Sequence, residues 1–139
     1  ELNPNAGIVM ANLAEQLGYA GRFEEAEQLM LRAMRLDPHH PAWYFWNVSW
    51  IEYSLGKCDD ALSTLHRMSN RPPKSNRILA ASHICLEQPR EARQAIQDLL
   101  THDPEYSVTK FKLNFERKRY APDFLEAWIK DLRAAGLPD

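Results

Sequence analysis

Residues 41–55 carry the densest apolar patterning in the chain. Trp43, Trp46, Trp50 and Tyr53 follow one another at intervals of three, four and three. On a helix this places three tryptophans and a tyrosine on one face. The opposite face carries Phe45, Val48 and Leu55. A helix with large apolar groups on both sides must be covered on both sides. Further along, Ser107 stands before a helical pattern over 108–118, with Val108, Phe111 and Phe115 on one side and Lys110, Lys112, Arg117, Lys118 and Arg119 around the other. Tyr120-Ala-Pro122 interrupts it. A last helix is expected over 123–135, with Phe124, Leu125, Trp128, Ile129 and Leu132 as a broad apolar face, ended by Gly136 and Pro138.

Punctuation recurs between these stretches. Leu2-Asn-Pro-Asn5 returns 34 residues later as Leu36-Asp-Pro-His39, and more weakly as His102-Asp-Pro-Glu105. Gly21-Arg-Phe-Glu-Glu-Ala26 returns as Gly56-Lys-Cys-Asp-Asp-Ala61, and then as Gln88-Pro-Arg-Glu-Ala92. The alanines are 35 and 31 residues apart, and Pro38, Pro73 and Pro104 keep the same two intervals. Two markers that drift together define a repeat. Each has a mechanical reason. The glycine ends one helix in a left-handed conformation, and the acidic pair suits the positive end of the next. The alanine lets two helices approach closely. The proline stops the second helix.

The repeat resembles the tetratricopeptide repeat, a 34-residue helix-turn-helix unit. In that register, repeat 1 covers 7–40, with Met10, Leu13, Ala14, Leu17, Ala26, Met30, Ala33 and Pro38 at the signature positions. Repeat 2 covers 42–72, with Phe45, Val48, Ser49, Ala61, Leu65, Met68 and Pro73. Repeat 3 covers 73–106, with Leu79, Ala80, Ala92, Ile96, Leu99 and Pro104. Glu52 stands where the family places a large aromatic, and Glu87 stands where it places the turn glycine. Residues 1–5 read as the remnant of a preceding repeat in a longer array. Residues 107–139 read as the atypical element that closes the last core face. The implied fold is all-α: a right-handed superhelix of about three hairpins plus two C-terminal capping helices.

The resemblance implies protein binding rather than chemistry. Its ligand positions lie on the concave face, here on helices expected at 42–54 and 74–87. The candidate partner-binding residues are Trp43, Trp46, Trp50, Tyr53, Lys74 and Arg77. An aromatic stripe of this size reaches the largest apolar patch that a monomer commonly leaves open, about 300–600 Å². Three covers present themselves: the chain's own C-terminal helices folding back with Phe124 or Trp128, a second copy of the chain as a homodimer, or a partner segment or further domain. Chaperone-type members hold a peptide's terminal carboxylate with lysine and asparagine on the first helix. Ala11 and Glu15 stand there, so no such peptide is expected to bind. The ending from Asp123 to Asp139, with Asp37-Pro-His-His-Pro-Ala-Trp-Tyr44 and Leu79-Ala-Ala-Ser82, also resembles the C-terminal repeat region of bacterial class III adenylate/guanylate cyclase-like proteins. That likeness implies a regulatory or oligomerisation role beside a catalytic domain.

Composition adds limits. Of 139 residues, 45% are apolar and 26% charged, with a formal net charge of −2, an ordinary globular balance that gives no reason to expect nucleic acid or membrane as partner. No apolar run approaches the roughly 20 residues of a membrane helix. The basic side of 108–118 reads as a solvated face, with a groove for an acidic peptide as its functional alternative. Neither a phosphate loop, a paired-cysteine zinc motif nor a nucleophile elbow occurs, so neither catalysis, cofactor nor metal is expected. His39 and His40 read as a solvated turn. His83 and Cys85, two apart on a helix, point away from each other. Cys58 and Cys85 sit in no motif spacing. Cys58 reads as a small buried apolar group, and a reducing, cytoplasmic setting is the simpler expectation.

Overall fold

The computed structural model describes residues 5–139, so the expected remnant at 1–5 lies, but for Asn5, outside the described residues. Eight α-helices form among them: α1 (Ala6–Tyr19), α2 (Phe23–Leu36), α3 (Trp43–Ser54), α4 (Cys58–His66), α5 (Asn76–Cys85), α6 (Pro89–His102), α7 (Val108–Arg117) and α8 (Pro122–Ala134). A 3-10 turn, Pro73–Ser75, leads into α5. The helices stack as successive hairpins into a superhelix with one continuous core.

One turn ends five of the helices. Gly21, Gly56, Glu87, Arg119 and Gly136 all take positive φ, at 83°, 79°, 58°, 55° and 104°. Each N–H donates to the carbonyl three residues back, and the next residue's N–H reaches five back, as in Gly56 to Tyr53 (2.9 Å) and Lys57 to Glu52 (2.8 Å). This is the Schellman closure of a helix end, for which glycine carries no Cβ strain. Glu87 and Arg119 adopt it without that advantage. The contraction of the second interval to 31 residues falls on α4, which has 9 residues where α2 and α6 each have 14. Between them, Ala26, Ala61 and Ala92 are fully buried, as close helix packing requires. Glu24-Glu25 and Asp59-Asp60 lie in the first turns of α2 and α4. Ser107 caps α7, its Oγ accepting from the Lys110 N–H at 3.2 Å.

Glu52, in the position the family gives to an aromatic, is half-buried between hairpins. The Thr64 hydroxyl donates to it at 2.6 Å. Burial pushes its carboxyl up from about 4.5 to about 7, with Asp60 and Glu27 adding to the shift and Thr64 and Lys57 opposing it. The folded chain therefore holds this proton more tightly than the unfolded chain does. The stability linked to it is present below about 4.5 and is lost as pH rises towards 7. Glu52→Gln is expected to match the parent at pH 4.5 and to exceed it at pH 8, by on the order of 1 kcal/mol once solvent screening is allowed for. Urea midpoints at the two pH values measure this, and equal differences at both would refute it.

Two cysteine expectations need correction. Cys58, at the start of α4, is buried, but it is not a free apolar group: it is bonded to Cys85 at the end of α5, with Cα atoms 6.3 Å apart. A pair 27 residues apart with no motif spacing gave no signal along the chain. The bond also removes the ground on which a reducing, cytoplasmic setting was the simpler reading. Among the described residues, no helix is long and apolar enough to cross a membrane.

Candidate functional site

The C-terminal helices fold back over the aromatic stripe. The Ala121 N–H donates to the Tyr19 carbonyl at 2.7 Å, tying the α7–α8 junction to the end of α1. Phe124 meets Phe23 edge-on, with centroids 4.5 Å apart. Trp128 is buried against Phe111, Phe115 and Tyr53, and its indole N–H donates to the Arg77 carbonyl at 3.3 Å. Tyr53 donates to Asp131 of α8 at 2.5 Å. Burial raises both groups above their ordinary values, which favours the neutral phenol as donor. Of the three covers, the chain's own tail therefore takes Tyr53 and one side of Trp50, while Trp43 stays 36% exposed.

Trp50 is held mainly by the preceding hairpin. It stacks on Tyr19, with centroids 5.7 Å apart and planes at 10°, and meets Phe23 edge-on. Gly18 makes room for it: a Cβ there would lie 2.2 Å from Trp50 Cη2. Neighbours on three sides hold the ring in place. Gly18→Ala is expected to cost about 2–3 kcal/mol by overpacking, despite alanine's better helix propensity. A thermal melt showing no loss would mean that Trp50 is free to move.

What remains open is a cavity of about 390 Å³ between the first helices of the hairpins and α7. Asn12, Glu15 and Tyr19 line it from α1, and Trp43, Trp46, Asn47 and Trp50 from α3. Arg77 closes it from α5, with Phe115, Lys118 and Trp128 from the tail. Arg77 is 5% exposed and pairs with no carboxylate among the described residues. Its Nε donates to the Lys74 carbonyl at 2.9 Å and its Nη1 to the Tyr106 hydroxyl at 3.2 Å. Its guanidinium faces the rings of Trp46, Phe111 and Phe115 at 5.4–5.7 Å, contacts that offset part of its desolvation. Beside it, Asn47 Oδ1 accepts from the Trp50 indole at 3.3 Å, while Asn47 Nδ2 is buried with no partner. Lys118 lies over Tyr19 and Phe115 at 5.5 Å. The Glu15 carboxylate is engaged by the Tyr19 hydroxyl at 2.5 Å.

Four of the six residues singled out in the sequence meet at this cavity: Trp43, Trp46, Trp50 and Arg77. Tyr53 does not line it, being committed to Asp131. Lys74 faces a neighbouring apolar notch formed by Pro72, Pro73, Leu99 and His102, on the other side of Trp46. Trp43 is the most exposed of the six aromatic and basic candidates after Lys74, at 36%. Asn12 and Asn47 were not anticipated, and Lys118 was weighed only within the basic run. The signal for Asn47 was an amide set between Trp46 and Trp50 on an aromatic-rich helix. For Lys118 it was the basic run, read as solvated.

Comparison with solved structures returns the first TPR domain of the human RPAP3 protein, solved by NMR. It has a TM-score of 0.65 and 16% identity over 94% of this chain and 98% of that one. The chain has a tetratricopeptide-like fold. No protein-family model and no curated protein matches it. The likeness to a cyclase C-terminus rests on the residues quoted for it and nothing further.

Proposed function

We propose that this chain is a non-catalytic interaction module that seats an acidic side chain of a partner protein in the cavity beneath Trp43 and Trp46. The observation that carries this is Arg77: a buried cation without a carboxylate, opening onto a 390 Å³ cavity beside an amide N–H₂ with nothing to donate to. A buried charge and an unpaired donor are both costly alone. A carboxylate in the cavity supplies the counter-charge that Arg77 lacks. Lys118 at the mouth adds attraction, and Glu15 on the α1 side directs the anion towards α5. Trp43 and Trp46 supply the apolar walls that such sites use for affinity. The opening admits a side chain rather than a long segment, since the tail fills the rest of the groove.

The chaperone mode stays outside this proposal. Its charge contacts at the first helix are replaced by Ala11 and Glu15. A peptide array read by binding of the purified chain tests both points. Binders are expected to be rich in Asp and Glu, and a peptide ending in a free carboxylate should bind no better than its amide. Lys118→Glu and Trp43→Ala should weaken the best binder by about tenfold each, the first without moving the melting temperature because Lys118 is exposed. A set of binders with no acidic preference would sink the reading.

A further inference from the structure

Charges of both signs line the Arg77 cavity. Arg77 stands on α5 and Lys118 at the end of α7, and Glu15 stands on α1. None of the three is in an ion pair among the described residues. Lys118 and Glu15 even meet the same ring, Tyr19, without meeting each other. The ammonium lies 5.5 Å from the ring centroid, and the carboxylate accepts from the hydroxyl at 2.5 Å. That bond uses Oε1 of Glu15, and Oε2 accepts nothing among the described residues. α3 packs against both α1 and α5, so Glu15 and Arg77 stand on opposite flanks of it. The cavity is therefore dipolar, with a carboxylate on the α1 side and two cations on the other.

Its size decides how both signs can be answered. About 390 Å³ is near the bottom of the range for ligand sites, about 300–1,000 Å³. It holds one residue rather than a run of them. Same-side side chains on a strand or a helix start about 5–7 Å apart. An acid and a base from two internal residues would therefore need two adjoining openings. A single residue carries both signs on one Cα when it is an aspartate or glutamate at a free amino terminus. We propose that the cavity takes the amino-terminal residue of a partner protein, an unblocked Asp or Glu. This rests on the acidic-side-chain reading above and names its source. The side-chain carboxylate meets Arg77, with Lys118 at the mouth. The α-ammonium meets Glu15. Trp43, the most exposed ring of the lining at 36%, marks where the rest of the partner leaves.

The test uses hexapeptides of one otherwise neutral sequence, labelled at the C-terminus, with binding to the intact chain read by fluorescence anisotropy. One begins with Glu and a free amine. The second is its N-acetyl form, the third begins with Gln and a free amine, and the fourth carries Glu at its third position. The first is expected to bind about tenfold or more tighter than each of the others, since each removes one charged contact or misplaces it. Glu15→Gln keeps an acceptor for the Tyr19 hydroxyl. It should bring the free and acetylated peptides to within about twofold of each other while the preference for Glu over Gln persists. If the acetylated or the internal-Glu peptide binds as well as the first, the amino-terminal proposal fails and the acidic-side-chain reading stands. If Glu15→Gln leaves the free-amine advantage in place, Glu15 does not hold the ammonium and the proposal fails. Peptides that bind without preference for Glu over Gln, or not at all, overturn both.

Discussion

Trp128→Ala will cost this fold about 3–5 kcal/mol, the range for emptying a buried tryptophan site. The side chain is 2% exposed. It lies among Phe111, Phe115, Tyr120 and Tyr53, with ring centroids 4.8–6.2 Å away. Those neighbours come from α7, the following loop and α3, so their collapse into the gap would have to move three elements at once. The variant also loses the indole bond to the Arg77 carbonyl and loosens the Tyr53–Asp131 contact next to it. The tail would then be held chiefly by Ala121, by Phe124 and by Tyr120 against Tyr19, Phe23 and Trp50. Urea unfolding followed by far-UV circular dichroism gives the loss. The emission of Trp43, Trp46 and Trp50 reports on the groove, with a red shift and iodide quenching expected as the tail lifts. A loss under about 1 kcal/mol with unchanged emission would show that the tail does not seal the groove.

Opening the Cys58–Cys85 bond is expected to cost about 3–4 kcal/mol, from the loop-closure entropy of a chain segment of this length. The bond joins the start of α4 to the end of α5, so it fastens the second hairpin to the third at the edge where both turn. Repeat stacks hold neighbours through nearest-neighbour contacts alone, and α4 is the shortest α-helix of the set, so this junction has the least helix to rely on. Denaturant midpoints of the oxidised chain, of the chain in excess reductant and of Cys58→Ala/Cys85→Ala make the comparison. Both reduced forms should fall together. If reduction leaves the midpoint in place, the junction is carried by packing. If the double variant falls and the reduced chain does not, the packing of the buried Cys58 side chain is what matters.

Much of this architecture was legible because its signals are local. A turn glycine, an acidic first turn, a buried alanine and a stopping proline each act within a few residues, so their recurrence could be read directly. Ser107 was legible as a cap for the same reason. The candidate site was half legible. The tryptophans and Arg77 stood out by spacing and by register. Their fate depended on contacts between residues far apart, such as Tyr53 with Asp131, which are 78 residues apart. Arg77 reads as a surface cation in any window, and only the tail that closes over it makes it a buried one. The cysteine pair failed for a related reason: two thiols 27 residues apart meet because of how two hairpins stack.

The sequence by itself determined the repeat and its helix-turn-helix punctuation, since these follow from backbone preferences and apolar periods along the chain. Tertiary structure decided what covers the aromatic helix, which cation is buried with no carboxylate beside it among the described residues, and which cysteines meet. Those outcomes depend on which surfaces remain after neighbouring hairpins have packed, and no stretch of chain short enough to be read as a pattern contains that information.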